Sequence, residues 1–262
     1  MVRSTGCGLI RTKTSYAIEE SLLITMNQSP NEQIPVPMED APDFKSDLSL
    51  MQTVYGILLV LGFRQIAEGL YAVVENKLPI DGLFLATSAF GIGLLFLGFR
   101  FFWAVGNIRR YVIRNHHLPG EFVRRRITTF LFPMLLMHAV AFYLLCRLHG
   151  DLINPALVES RTGQLAFLLC VFLLLNVIWL CIMIVPGLKR QPESIWILNN
   201  TSTAILILAA YSILSWYMFA PQYKLAVLSF LLIGNSMVDL WKTAKTYLAE
   251  YKIDIVPGRK IA

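Results

Sequence analysis

Six long apolar stretches constrain this chain more than any other feature of its sequence. Each exceeds the roughly 20 residues that a helix rising 1.5 Å per residue needs to cross a hydrocarbon core of about 30 Å. The stretches are continuously apolar, without the period-two alternation of membrane-spanning strands. They predict six transmembrane helices, at residues 51–74, 83–107, 128–148, 164–187, 195–219 and 225–247.

Composition supports a membrane fold. The chain has 262 residues, of which 56% are hydrophobic and 15% charged, whereas soluble domains contain about 45–50% apolar and about 25% charged residues. We therefore predict an all-α, polytopic helical membrane bundle.

Polar, proline-rich residues 1–46 are expected to form a disordered cytoplasmic tail, with translation starting at Met1 or at Met26. Residues 47–250 form the six-span domain, and 251–262 a short cytoplasmic tail.

The distribution of positive charge predicts the orientation of the spans. Of the 23 Lys and Arg residues, 17 flank one side of the membrane, the side that also holds both termini, and 4 flank the other. The positive-inside rule places the richer side in the cytoplasm. We expect an integral protein of a plasma membrane, such as the bacterial inner membrane.

The net charge of +6 does not indicate nucleic-acid binding. The basic residues cluster beside apolar stretches, where they contact anionic lipid headgroups on the cytoplasmic face. The residues predicted to make such contacts are Arg109, Arg110, Arg124, Arg125 and Arg126.

Charged residues within the spans need a structural or functional reason, because each costs about 2.5–3.5 kcal/mol at the membrane centre on insertion scales. Arg64 and Glu68 are four residues apart, on one face of span one, and can pair. Arg100 in span two and Asp239 in span six lie at similar depth and can form an ion pair between helices. Arg64 and Glu68, like His138 in span three, are expected in the bundle interior or at a subunit interface.

Other polar residues lie within spans three, four and six. Such residues most often form hydrogen bonds between helices. Together with the charged residues they form either a polar path or gate, or a set of structural clamps. The full candidate set is Arg64, Glu68, Arg100, His138, Asn176, Asn235 and Asp239.

Small residues line span two, among them Gly91, Gly93 and Gly98. They permit close approach of helices, within one chain or between subunits of a homo-oligomer. The sequence predicts no metal site and no cofactor, because Asn115-His116-His117 has no carboxylate or cysteine at ligand spacing. The sequence also has no G-x-S-x-G, H-E-x-x-H, P-loop or G-x-G-x-x-G motif, so an enzyme is not expected.

Residues 102–110, Phe-Trp-Ala-Val-Gly-Asn-Ile-Arg-Arg, end the second span. This segment resembles the end of the second span in bacterial relatives of the endolysosomal potassium-channel family. The resemblance implies six spans per subunit and a pore assembled around first-span helices. In span one, however, residues 63–65 read Phe-Arg-Gln where that family has Phe-Ser-Asp, so none of its site residues carries over.

Two classes of function remain open at this stage. The first is a small channel or transporter for ions or a small solute, in which the charged residues inside the spans line or gate the path. The second is a non-transporting membrane scaffold, assembly factor or membrane-disrupting effector. Convergence of the intramembrane charges on one cavity would favour the first class, and dry pairing would favour the second.

Overall fold

The computed structural model describes residues 42–76, 80–102, 104–115, 118–184 and 192–254, and these residues form helices and turns without strands. The α-helices are α1 (Pro42–Glu75), α2 (Gly82–Phe102), α3 (Ala104–Arg114), α4 (Gly120–Arg126), α5 (Phe132–Gly150), α6 (Val158–Met183), α7 (Pro192–Trp216) and α8 (Pro221–Asp254). A π-helical segment, Ile127–Leu131, joins α4 to α5, and two short 3₁₀ turns, Asp151–Ile153 and Pro155–Leu157, lead into α6.

Six of the helical stretches are long and apolar enough to cross a membrane, which confirms the predicted all-α membrane bundle. Spans one to six are Ser46–Glu75, Gly82–Arg109, Gly120–Ile153, Pro155–Met183, Glu193–Trp216 and Pro221–Lys242. The chain is thus a multi-pass integral membrane protein. Inner and outer below denote the cytoplasmic and opposite sides predicted from the charge distribution.

The helix boundaries refine the predicted ones. The first helix already begins at Pro42, so the boundary placed after residue 46 falls inside it; the remainder of the predicted tail, 1–41, lies outside the described residues. The fourth span ends at Met183 rather than at 187, and the fifth at Trp216 rather than at 219. After Trp216 the chain turns through Met218, whose φ of 54° is incompatible with a continuing helix.

Span three begins at Gly120, earlier than the predicted residue 128, because its helix runs without interruption through three inner arginines. Pro133 therefore lies inside the helix, where it cannot donate a backbone hydrogen bond and its ring clashes with the preceding turn. The π-helical segment immediately before it widens that turn and accommodates the proline. Thr128 Oγ1 donates to the carbonyls of Arg124 and Arg125, at 3.1 and 3.2 Å, in the same region.

The spans pack in the order one, three, four, five, six, two, each against the next. Span one packs mainly on span three and makes few contacts with span two. Only 22% of its most apolar stretch is buried, the same share as in span five, against 44% for spans three, four and six. The described residues therefore leave a wide face of span one uncovered.

Candidate functional site

Five of the seven candidate side chains within the spans fall into two separate regions. We call the first the inner polar cluster; it lies between spans two, five and six and contains Arg100, Asn199, Asn200, Thr203, Asn235 and Asp239. The second is the span-one pair, Arg64 and Glu68. The inner polar cluster is buried in the bundle, whereas the span-one pair is exposed on its surface.

An ion pair stands at the centre of the inner polar cluster. Arg100 Nε lies 2.5 Å from Asp239 Oδ2, and the two side chains are 9% and 1% exposed. Spans two and six pack along each other, which brings the two residues together at similar depth. The pairing expected from their depth is present; its role as path or clamp stays a prediction at this point.

Asparagine side chains surround this ion pair. Arg100 also donates to Asn235 Oδ1, and more distantly, at 3.4 Å, to Asn200 Oδ1. The amide of Asn235 donates to Thr203 Oγ1 at 2.9 Å. Asn199 Nδ2 donates to the backbone carbonyl of Asn235 at 2.9 Å. Asn235 and Asp239 are four residues apart, so one face of span six presents both to the neighbouring helices.

The inner polar cluster is buried, and most of its polar atoms bond to one another, although Asn200 Nδ2 has no hydrogen-bond partner among the described residues. Asn200, Asn235 and Asp239 are each no more than 3% exposed. A guanidinium and a carboxylate in so apolar a place are strongly coupled, and the amides take up further donors and acceptors of the pair. This arrangement joins three spans by charge-assisted hydrogen bonds, and chemically it is suited to holding helices in register.

The span-one pair faces outward. Arg64 Nε lies 2.6 Å from Glu68 Oε1, yet the side chains are 69% and 52% exposed. The residues precede Glu75, at the outer end of the helix, by eleven and seven positions, which corresponds to about 16 and 10 Å. Neither residue lies in the interior of this chain's bundle, which leaves a subunit interface as the other expected place.

His138 in span three occupies an aromatic cage. Its ring stacks on Phe172 with centroids 4.6 Å apart and meets Phe101 edge-on at 3.8 Å. The side chain is 1% exposed, and Nε2 has no hydrogen-bond partner among the described residues. Within the described residues, His138 thus makes no hydrogen bond to the inner polar cluster or to the span-one pair.

The candidate residues within the spans do not come together at one place in the described part of the chain. Asn176 is half-buried on span four, and within the described residues no hydrogen bond joins it to the polar groups above. Neither of two cavities in this part of the chain, one near the outer ends of spans one and two and one beside Phe122, is lined by these candidates; the second is lined in part by Arg125 and Arg126. Within the described residues, no group of three or more His, Cys, Asp or Glu side chains could hold a metal ion; His116 and His117 lie outside them.

The inner arginines have different surroundings. Arg126 is partly buried: its Nη2 donates to the carbonyl of Ile182 at 3.1 Å, and its guanidinium lies 5.6 Å from the ring centre of Tyr111. Burial raises the pKa of Tyr111, an effect that the nearby Arg126 charge opposes. Arg109, Arg124 and Arg125 are exposed, and the side chain of Arg110 lies outside the described part. Contact of these arginines with anionic lipid stays a prediction.

The small residues of span two serve packing within this chain. A Cβ at Gly98 would lie 2.9 Å from both Phe63 Cζ and Phe142 Cζ, and one at Gly93 would lie 3.0 Å from Leu232 Cδ2. At Gly91 it would lie 3.1 Å from the His149 ring. These glycines give close approach to spans one, three and six within the chain; a homo-oligomer through span two stays a prediction.

Several polar contacts near the outer ends are not predictable from the sequence. Lys224, at the start of span six, is 4% exposed and pairs with Glu159 of span four, and its ammonium lies 5.7 Å from the ring centre of Tyr211. His149 Nε2 lies 2.9 Å from the carbonyl of Thr87. Arg161 bridges to Asp151 at 3.1 Å. The sequence shows these residues at span ends, but it does not show which spans are neighbours.

Comparison with known proteins gives no family assignment. No family model, no curated protein and no solved structure matches the chain, so the short resemblance at the end of span two has no further support and the function is argued from the geometry above.

Proposed function

We propose that this chain is a self-assembling, non-transporting membrane scaffold that binds a second copy of itself through span one. The observation that carries the proposal is the span-one pair, an arginine and a glutamate exposed at membrane depth. The binding surface is the outward side of span one, here called the span-one face. It consists of Ile57, Val60, Leu61, Arg64, Ala67, Glu68, Tyr71 and Val74, all exposed.

Lipid is a poor environment for the span-one pair. Within the described residues the bond between Arg64 Nε and Glu68 Oε1 is the only one that either side chain makes. The guanidinium has five N–H donors and the carboxylate two oxygens, so most of their hydrogen-bonding capacity is unused. Hydrocarbon cannot supply partners, and charged residues in spans accordingly face protein or water.

A second copy of the chain is the partner that the charge pattern fits. The span-one face carries one positive and one negative group, offset along the helix by about 6 Å. Two copies with the same membrane orientation, related by a twofold axis along the membrane normal, hold equal residues at equal depth, so Arg64 of each copy is about 6 Å in depth from Glu68 of the other. The long arginine side chain can span that offset. The four groups then close a ring of alternating charge, in which each carboxylate accepts from two guanidinium groups.

A scaffold is favoured over a passage protein because the other charged groups pair in dry contacts. Arg100 and Asp239 bind each other within the inner polar cluster, and His138 is enclosed by aromatic rings. A second candidate function is passage of an ion or small solute between assembled copies. It is favoured by one observation, that Arg64 and Glu68 point away from their own bundle and could line a path between copies.

The assembly can be tested by a charge-mixing experiment in vesicles. Arg64→Glu makes the span-one face wholly acidic and Glu68→Arg makes it wholly basic, so we expect each variant alone to lose self-association, measured by crosslinking and by single-molecule photobleaching. Because the two faces are complementary, co-reconstitution of the two variants should restore association. A matched control is Arg147→Glu, the same charge change at an exposed position on span three, which should leave association intact.

A chain that is monomeric at all protein densities, or variants that associate as well as the natural sequence, would refute the span-one assembly. The role of the assembly is tested separately by flux of a panel of ions into liposomes that hold the natural sequence. Absence of flux above protein-free vesicles supports the scaffold. Flux that changes with Glu68→Gln would replace it with the passage function.

A further inference from the structure

A cavity near the outer ends of the spans is built from four parts of the chain. The cavity has a volume of about 280 Å³. It lies between span one, the start of span two, the end of span three and the turns before span four. Close backbone contact fixes two of these walls: a Cβ at Gly69 would lie 3.3 Å from Gly150 Cα. The hydrogen bond between His149 of span three and the Thr87 carbonyl of span two, 2.9 Å long, joins a further wall.

The walls of this outer cavity are mainly apolar. Leu70 and Val73 come from span one, Phe84 from span two, and Leu152 and Ile153 from the turn after span three. His149 also lines the cavity, but its polar atoms are not available to a bound molecule. Nε2 donates to the Thr87 carbonyl, which can only accept, and Nδ1 is shielded from solvent. The interior of the cavity is therefore suited to a hydrocarbon or aromatic body.

One charged side chain stands at the rim. Asp81 lines the cavity and is exposed. Its Oδ1 accepts from the backbone N–H of Phe84 at 2.9 Å and so caps the start of span two. Within the described residues this is the only hydrogen bond of the carboxylate, which leaves Oδ2 open. A negatively charged oxygen beside an apolar cavity attracts a positively charged group attached to an apolar body.

We propose that the outer cavity binds a small lipophilic amine. The aromatic or aliphatic body occupies the space between spans one and two, and the protonated amine binds Asp81 Oδ2 at the rim. At about 30 Å³ per water-sized unit the cavity holds a body of roughly ten non-hydrogen atoms. Pockets of this kind are lined by apolar side chains with a few polar groups that fix orientation. The proposal is independent of assembly through span one.

Three probes of the same shape separate the contributions of charge and of apolar contact. They are 4-phenylbutylamine, 4-phenylbutanol and 4-phenylbutyrate, measured by saturable displacement of labelled amine from the full chain in nanodiscs of zwitterionic lipid. We expect the amine to bind at least about tenfold more tightly than the alcohol, and the carboxylate to bind most weakly.

Variants then locate the site. Asp81→Asn keeps an oxygen that can cap span two but removes the charge, so it should weaken amine binding about tenfold and leave alcohol binding unchanged. Val73→Phe fills the cavity and should abolish binding of both. Glu75→Gln, a nearby exposed acid that does not line the cavity, is the matched control and should change neither.

Two outcomes would overturn the proposal. If the amine shows no saturable binding, or if Asp81→Asn leaves its affinity unchanged, the rim does not bind a cation. If Val73→Phe elutes and melts like the natural sequence yet binds the amine equally well, the binding site lies elsewhere. The Asp81→Asn result decides the matter even if Val73→Phe does not fold. Amine binding that persists in Arg64→Glu would show that it does not depend on assembly.

Discussion

Two arginine–carboxylate pairs of similar length lie in different environments in this protein. Arg100 and Asp239 approach to 2.5 Å, and Arg64 and Glu68 to 2.6 Å. In the first pair both side chains are less than a tenth exposed, whereas in the second more than half of each is exposed. The two pairs thus have nearly equal N–O distances, but one is buried and the other is exposed. This difference in exposure indicates what each pair can do.

The difference begins with the origin of the partners. Arg64 and Glu68 are neighbours on one helix, so local geometry alone brings them together. Arg100 meets Asp239 only because spans two and six pack side by side, and amides from spans five and six complete the contact. A pair between helices holds the fold together, whereas a pair within one helix leaves the fold unaffected and its outer surface available to another molecule.

The largest expected effect follows removal of one member of the buried pair. Arg100→Ala or Asp239→Ala leaves the other charge uncompensated in an apolar place, which costs about 3–5 kcal/mol and should lower the thermal midpoint in detergent by on the order of 10 °C. The double variant removes both charges and should recover part of the loss. Arg147→Ala, at an exposed arginine, is the control and should melt like the natural sequence.

Additive losses in the double variant would contradict this description of the inner polar cluster, because two independent residues lose stability independently. In that case the two charges would interact more with their asparagine neighbours than with each other.

The sequence predicted the spans and the pairing of Arg100 with Asp239, but not the surroundings of either pair. Hydropathy fixes where helices cross the membrane, and residue counts from the span ends give depth. Neither reports which helices are neighbours, so the partnership of Asn199, Asn200 and Thr203 with Asn235 required the fold. The outward direction of Arg64 was also hidden, because an i, i+4 pair forms equally on a buried or an exposed face.

An intermediate effect is expected at Asn235, which connects the buried ion pair to span five. Asn235→Leu retains the approximate volume but removes the acceptor for Arg100 and the donor to Thr203. Loss of hydrogen bonds in a buried network typically costs about 1–3 kcal/mol, so the thermal midpoint should fall less than in Asp239→Ala. Asn176→Leu, at a half-buried asparagine on span four, is the control with the same change of side chain. Equal midpoints for the two leucine variants would remove Asn235 from the inner polar cluster as a stabilising member.

The smallest effect on stability is expected at the span-one pair. This prediction distinguishes the span-one pair from the inner polar cluster most clearly. In detergent, where copies are dispersed, Glu68→Gln removes a carboxylate whose one bond to the described residues is to Arg64, so the thermal midpoint should equal that of the natural sequence. This pair lies within one helix and joins it to no other span, so its loss leaves the packing between the spans unchanged. In vesicles the same variant should weaken self-association, since the ring of alternating charge loses both its negative charges while neutral amide oxygens remain as weaker acceptors. A midpoint that falls as far as in Asp239→Ala would mean that Glu68 supports the fold of the single chain, and the distinction between a buried clamp and an exposed binding face would fail.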